Sequence, residues 1–290
     1  MSSAAVKPET PRTLDLAHLV WDRAMTDFDA TYSEVAQAGF RAMVMTQRRA
    51  QFDMLVPEQA REAGRRLERL GLVVRGCHGV ETQPCDLSVA EADAHAAMVT
   101  AHATLMENVA ELGCRTYVVH LGAAPQDGNK EAAWGRVRKA VDELGTRAEA
   151  LGVALALENG MQGYLATNDE LLAFVAGYDH PAVGICYDSG HAHIMEGAAT
   201  VLEALSQYVV TVHLHDNDGT ADQHLVPGHG TIDWRPVAEA LARCPRLIHA
   251  EIEAANCTQW PPTPEVYSQT ELYARYLEIL NLPGTGVSYR

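Results

Sequence analysis

Short apolar runs alternate with longer helical patterns along nearly the whole chain. Runs of five or six residues, rich in Val, Leu, Ile and Ala, have the composition of buried strands. Eight such runs are present, at 14–19, 41–45, 73–77, 116–121, 154–158, 184–188, 209–214 and 247–252. Glycines follow several of the helical segments, where a left-handed end residue is commonly required: Gly39, Gly71, Gly113 and Gly152.

Side chains that can cap backbone N–H groups mark several helix starts. Capping-box patterns begin at Thr31, Ser88 and Thr167, and Asp233 is a candidate N-cap. Because strand and helix signals alternate eight times without an internal linker, the sequence predicts an α/β fold, a single-domain (β/α)8 TIM barrel. We expect the barrel to span 14–282, with an N-terminal tail at 1–13 and a C-terminal tail at 283–290.

The alternation of side chains within the strands predicts which residues point into the barrel. In the run 154–158, Glu158 shares a face with small alanines, whereas Leu155 and Leu157 share the opposite face. Asp188 alternates with Ile185 and Tyr187 in the same way. These acidic residues therefore point inward at the carboxyl end of the strands, where barrel enzymes hold their active sites.

Residues able to bind a divalent metal recur at the ends of the apolar runs. One such histidine would be an ordinary structural residue, but here the placement repeats along the chain. Imidazole and carboxylate groups without thiolates suit zinc, manganese, cobalt, iron or magnesium. Inward-facing carboxylates would also repel one another without a cation. The candidates are His78, His120, Glu158, Asp188, His191, His213, Asp222, His224 and Glu251.

The amino-acid composition of the chain limits the kinds of molecule that it is expected to bind. The chain has 290 residues, of which 47% are apolar, and a net charge of −16 that disfavours binding to a nucleic-acid backbone. Six scattered cysteines without a CxxC pair favour a reducing cytoplasm. The sequence shows no secretory signal and no long uncharged apolar stretch, so we expect no membrane partner. A small-molecule substrate is the expected partner, and homo-oligomerisation is left open.

The order of the motifs resembles the xylose isomerase-like barrel superfamily. The succession runs from Glu158-Asn-Gly, through Asp188-Ser-Gly-His191, His213-Leu-His-Asp-Asn and Asp222-Gln-His224, to Ala250-Glu251-Ile. The superfamily includes sugar and sugar-phosphate isomerases and epimerases, inosose-processing enzymes and endonuclease IV-type apurinic-site endonucleases. The resemblance covers roughly 14–282 and is strongest from Glu158 to Glu251.

The resemblance implies a set of site residues. In the epimerase branch four groups hold one divalent metal, and by motif position these are Glu158, Asp188, His213 and Glu251. The two glutamates would also exchange the substrate proton, and His191 would bind a substrate oxygen. The endonuclease branch holds several zinc ions, and residues matching its larger ligand set serve here as second-metal or substrate-binding candidates: His78, His120, His191, Asp222 and His224.

Two choices of ligand are left open by strand alternation. His215 has the same parity as His213, and Glu253 has the same parity as Glu251. His213 is preferred because the run that follows it matches the family, and Glu251 is preferred because it directly follows the apolar strand.

The implied function is that of a metal-dependent isomerase or epimerase in carbohydrate metabolism. Its substrate would be a small sugar, sugar phosphate, inosose or related keto-polyol, converted through an enediolate that the metal stabilises. Dehydration is a variant of this chemistry. The alternatives are a multinuclear metallohydrolase of the endonuclease IV-like branch, acting on a phosphoester or other small ester, and a catalytically inert barrel. The substrate, the metal and the number of ions are not determined by the sequence.

Overall fold

Eight parallel strands close into a barrel in the computed structural model, which describes residues 12–20, 27–255 and 267–290. The strands are β1 (Arg12–Leu19), β2 (Ala42–Met45), β3 (Val73–His78), β4 (Thr116–Val119), β5 (Ala154–Glu158), β6 (Val183–Asp188), β7 (Val209–Leu214) and β8 (His249–Ile252). Each strand pairs with the next, and β8 pairs with β1 through Glu251 and Ala17. All eight predicted strands are present, and the (β/α)8 prediction is confirmed.

Helices pack around the outside of this ring. They are α1 (Phe28–Ala38), α2 (Pro57–Arg69), α3 (Ala92–Ala110), α4 (Lys130–Leu151), α5 (Asn168–Tyr178), α6 (Ser189–Met195), α7 (Ala198–Leu205), α8 (Trp234–Ala242) and α9 (Gln269–Leu280). Leu155 and Leu157 of β5 belong to the large apolar cluster between strands and helices, whereas Ala156 lies in a smaller cluster inside the barrel. The predicted alternation of inward and outward side chains is therefore confirmed for β5.

Some helix starts differ from those predicted. Helix α1 begins at Phe28 because the side chain of Asp27 accepts a hydrogen bond from the N–H of Ala30, and the Thr31 hydroxyl instead donates to the Asp27 carbonyl. The Thr31 capping box is therefore wrong. Thr167 does form a capping box, and its side chain accepts a hydrogen bond from the N–H of Glu170. Gly39 adopts the left-handed conformation predicted for the end of α1.

Two further elements extend the barrel. A hairpin of two short strands, Arg48–Arg49 and Phe52–Asp53, follows β2. The strand β9 (Val287–Tyr289) lies beside the beginning of β1, so part of the predicted C-terminal tail joins the sheet. Residues 1–11 of the predicted N-terminal tail lie outside the described residues. None of the helices within the described ranges combines the length and apolar character needed to cross a membrane.

Candidate metal centre

Four of the inward-facing polar side chains meet at the carboxyl end of the barrel. Each offers one ligand atom, and these atoms all lie within 4.8 Å of one another. The four residues, called the mouth cluster below, are Glu158 at the end of β5, Asp188 at the end of β6, His213 on β7 and Glu253 just after β8. All four are buried. The barrel therefore brings together three carboxylates and one imidazole from strands distant in sequence.

Distances within the mouth cluster centre on one nitrogen of His213. Its Nδ1 lies 3.0 Å from Oε2 of Glu253, 3.4 Å from Oε1 of Glu158 and 3.9 Å from Oδ2 of Asp188. Within the described part of the chain, neither His213 Nδ1 nor Glu253 Oε2 forms a hydrogen bond. Buried polar atoms in this state are costly. A divalent cation with oxygen and nitrogen ligands fits this arrangement, because it would satisfy the lone pairs and offset the negative charge.

The charges of the mouth cluster perturb its protonation strongly. Burial raises the pKa of Asp188, but His191 and His215 overcome this effect and lower it to about 2. Burial likewise opposes ionisation of Glu158, yet His213 and His120 hold its pKa well below the usual range. The contacts with these histidines therefore favour ionised carboxylates, the form that a metal requires.

Glu251, which the motif order assigns as a ligand, lies deeper in the barrel. It is fully buried, and its Oε1 accepts hydrogen bonds from Thr116 at 3.0 Å, Thr211 at 2.8 Å and His249 at 2.8 Å. These four residues are called the lower layer below. The structure therefore places Glu253, and not Glu251, beside the other three predicted ligands.

His215 also faces inward but contacts a different part of the site. Its Nε2 lies 3.0 and 3.1 Å from the two carboxylate oxygens of Asp188, and its ring stacks on that of His224 with centroids 4.0 Å apart. Together with His224 and Glu253 it forms a second group of possible ligands. Of the two histidines that strand parity left open, His213 is the one in contact with both glutamates of the mouth cluster.

His191 and the loop after β7 line one side of the site. The Nδ1 of His191 donates to the Asn159 carbonyl at 2.8 Å, which leaves Nε2 facing Asp222 at 3.5 Å. The same Asp222 oxygen lies 3.0 Å from Nε2 of His224, whose Nδ1 donates to the Glu253 carbonyl. The structure thus brings these three predicted residues together beside the mouth cluster.

His78 and His120 lie on the other side of Glu158. The Nε2 of His120 is 3.0 Å and that of His78 is 3.9 Å from Oε2 of Glu158. The His78 ring also stacks on His213 with centroids 5.6 Å apart. Burial lowers the pKa of His78 to about 4, so this imidazole is neutral at ordinary pH and one of its nitrogens can accept a hydrogen bond or bind a metal.

Several residues that position the site were not singled out from the sequence. The side chain of Asn159 accepts the Asp188 N–H at 2.6 Å and thereby fixes the end of β6. Asp216 accepts hydrogen bonds from the backbone N–H groups of Gly228 and Ile232 and from Trp234 Nε1, which holds the glycine-containing loop before α8. Their position in the sequence could have identified them, because Asn159 and Asp216 each lie directly after the end of a predicted strand or within two residues of it.

Comparison with known proteins identifies the family. Residues 32–273 match the xylose isomerase-like TIM barrel family, and the chain belongs to it. The family resemblance inferred from the motifs is confirmed.

The alignments with curated relatives cover only part of this chain and of each relative. The chain is 34% identical over 118 residues to a D-psicose 3-epimerase of Ruminiclostridium cellulolyticum, covering 39% of each chain. It is 26% identical over 172 residues to an inosose dehydratase of Bacillus licheniformis, covering 52% of this chain and 56% of the relative. The matches with curated relatives span between 21% and 61% of the relatives' own length.

Solved structures share the fold over nearly the whole chain. A 3-keto-D-glucoside 4-epimerase from E. coli superposes with a TM-score of 0.73 at 16% identity, covering 90% of this chain and 99% of that one. At this level of identity the likeness demonstrates the barrel fold. The chemistry of this chain therefore has to be argued from its own site.

Proposed function

We propose that the protein is a divalent-metal-dependent isomerase or epimerase of a small, uncharged polyhydroxylated carbonyl compound. The observation that carries this proposal is the convergence of two glutamates on one imidazole. Glu158 and Glu253 come from positions three strands apart around the ring, and both approach Nδ1 of His213. Two carboxylates beside one bound metal can each exchange a proton with a substrate that the metal holds.

The four mouth-cluster residues would hold the metal. A bound cation would acidify the C–H between a carbonyl and a neighbouring hydroxyl. Glu158 or Glu253 would remove that proton and the other glutamate would return it. Return to the opposite face of the same carbon gives epimerisation, and return to the neighbouring carbon gives isomerisation. His191 and the partly exposed His120 would hold substrate oxygens through their imidazole N–H groups.

The charges around the site support a substrate without a phosphate group. Within the described ranges, the ion pairs of the site carboxylates are made with histidines, and none is made with Lys or Arg. A phosphate ester would normally be held by cationic side chains or a helix N-terminus. The epimerase and dehydratase relatives support keto sugars and keto-cyclitols as the first substrates to test. Loss of water from the same enediolate would make the enzyme a dehydratase.

Proton exchange with solvent tests the proposal directly. The metal-loaded protein is incubated in D2O with a panel of ketoses and keto-cyclitols, and the products are analysed by mass spectrometry. We expect deuterium on the carbon beside the carbonyl. Glu158→Gln and Glu253→Gln should lower the rate by about 10²–10⁴-fold, as for a lost acid–base group.

The matched control is Glu143→Gln, an exposed residue of α4, which should exchange at the wild-type rate. The proposal fails if the metal-loaded wild type exchanges no substrate proton with any member of the panel.

A second function, multinuclear metal-dependent hydrolysis, is favoured by one observation. Asp222 lies between His191 and His224, and His78 and His120 both face Glu158, so further ions could bind on either side of the mouth cluster. Metal stoichiometry separates the two functions. One tightly bound ion per chain supports isomerisation, whereas two or three ions together with ester hydrolysis support the second function.

A further inference from the structure

The lower layer is unusual for the inside of a TIM barrel. Barrel interiors are normally filled by layers of bulky branched apolar side chains. Here the inward residues of the last strand are His249, Glu251 and then Glu253, all of them buried. A carboxylate removed from water costs several kcal/mol unless its oxygens find hydrogen-bond donors. Glu251 therefore requires an explanation in terms of what its two oxygens contact.

The two oxygens of Glu251 have different surroundings. Oε1 accepts from the hydroxyls of Thr116 and Thr211 and from Nε2 of His249. Oε2 lies 3.4 Å from Nε2 of His213. Among the described residues, neither Oε2 of Glu251 nor Nε2 of His213 has a hydrogen-bond partner. A hydrogen bond between these two buried atoms would satisfy both, and Nε2 would carry its proton because a carboxylate only accepts.

The backbone around Glu251 is shaped to hold its carboxylate. At Gly76 of β3, an added Cβ would lie 2.5 Å from Oε1 of Glu251. A larger residue at position 76 would therefore force the carboxylate out of its place. With three donors on Oε1 and no exposed surface, Glu251 is held rigidly below the mouth cluster. A substrate in the mouth has no direct access to its oxygens.

We propose that Glu251 is a positioning residue that selects the tautomer of His213. By accepting the Nε2–H proton, it leaves the lone pair of Nδ1 facing Glu158, Asp188 and Glu253. The inference rests on the proposed metal site. Carboxylates that accept from the second nitrogen of a metal-binding histidine orient the ring and raise its basicity, and their loss costs 10–100-fold in metal affinity. Glu251 thus serves the metal without touching it.

Glu251→Gln tests this role. The glutamine amide can present N–H groups to His213 Nε2, which favours the tautomer that blocks Nδ1. We expect the affinity for Co²⁺ or Zn²⁺, measured by competition with a chelator, to fall by about 10–100-fold while the protein stays folded by circular dichroism. Thr211→Val is the matched control, because Thr211 contacts only the other oxygen of the carboxylate, and it should lose less affinity than Glu251→Gln.

A spectroscopic measurement reports on the hydrogen bond itself. In Co²⁺-loaded wild type, NMR should show a paramagnetically shifted imidazole N–H proton that exchanges slowly with water. This proton should shift or exchange faster in Glu251→Gln and persist in Thr211→Val. A purely structural role for Glu251 would leave it unchanged.

The outcomes separate the two proposals. If wild type binds no divalent ion, the proposed function fails and this inference fails with it. If wild type binds an ion but Glu251→Gln keeps both its affinity and the protected proton, only the positioning role is overturned. If Glu251→Gln does not fold, the absence of a protected imidazole N–H proton in cobalt-loaded wild type still overturns the positioning role.

Discussion

The barrel contains two polar layers that differ in the hydrogen-bond donors they offer to buried carboxylates. In the lower layer, three donors surround Oε1 of Glu251. In the mouth cluster, 3.0 Å separates Glu253 Oε2 from His213 Nδ1, and neither atom is hydrogen-bonded in the described part of the chain. Hydrogen bonds satisfy Oε1 of Glu251 and leave its Oε2 3.4 Å from His213 Nε2, whereas Oε2 of Glu253 requires a cation or a shared proton. Burial is common to both layers, so the supply of donors distinguishes a supporting carboxylate from a ligand.

The largest expected effect comes from replacing the glutamate of each layer by glutamine and comparing the two variants. Glu253→Gln should lose the metal during gel filtration, because it removes a direct ligand, and activity should fall by about 10²–10⁴-fold. Glu251→Gln should keep one site per chain with weaker affinity. Elemental analysis of both variants after the same chromatography checks this. Retention of metal by Glu253→Gln and its loss from Glu251→Gln would reverse the assignment of the two layers.

The next effect is the change in stability of the metal-free protein with pH. Burial lowers the pKa of His224, but Asp222 overcomes this and raises it to about 9. Because the folded pKa exceeds the unfolded value of about 6.5, protonated His224 stabilises the fold fully below pH 6.5. That stabilisation, on the order of 3 kcal/mol, should disappear as pH rises to about 9.

Urea denaturation across this pH range measures the loss, and His224→Asn should reduce it. With metal bound the trend should weaken or reverse, since ligands must be deprotonated. Metal-free protein that became more stable between about pH 6.5 and 9 would contradict the predicted role of His224.

A smaller effect tests how tightly the lower layer is packed. Gly76→Ala should destabilise the protein by about 1–3 kcal/mol, because the new methyl group overlaps a carboxylate that three hydrogen bonds hold in place. In a Glu251→Ala background the same substitution should cost much less. A double-mutant cycle from denaturant unfolding should give a coupling energy of about 0.5–3 kcal/mol. Additive effects of the two substitutions would show that the Glu251 carboxylate moves aside at little cost in free energy.

The smallest effect is the loss of a single donor. Thr211→Val removes one hydroxyl from Oε1 of Glu251 and should cost about 1 kcal/mol of unfolding free energy without changing the number of bound ions. Thr146→Val, at an exposed position on α4, should change stability by less than about 0.5 kcal/mol. Equal effects at the two threonines would mean that the lower layer gains little from this hydrogen bond.

Much of the site could be predicted from the chain. The parity argument identified Glu158 and Asp188 as inward-facing, and the motif order identified His213, His191, Asp222 and His224, which all lie in or beside the mouth cluster. The choice between Glu251 and Glu253 could not be made in this way. Residues two apart on a strand face the same side, so alternation determines the face and leaves depth along the barrel undetermined.

Local signals failed where tertiary contacts or competing caps were decisive. Thr31 fits a capping box, yet Asp27 begins α1 four residues earlier by accepting the Ala30 N–H. Thr116 and Thr211 look like ordinary strand residues in the sequence, and their role appears only when the closed ring brings them to Glu251. The strand β9 was predicted as a tail because its partner, β1, lies at the other end of the chain.

The sequence by itself determined the barrel, its eight strands and the inward face of the candidate ligands that lie on strands, because these depend on short-range periodicity. Only the tertiary structure decided which side chains lie at the same depth along the barrel axis. This depth depends on the tilt and register of strands far apart in sequence. That register sets Glu253 beside His213 Nδ1 and Glu251 beneath Nε2 of the same ring.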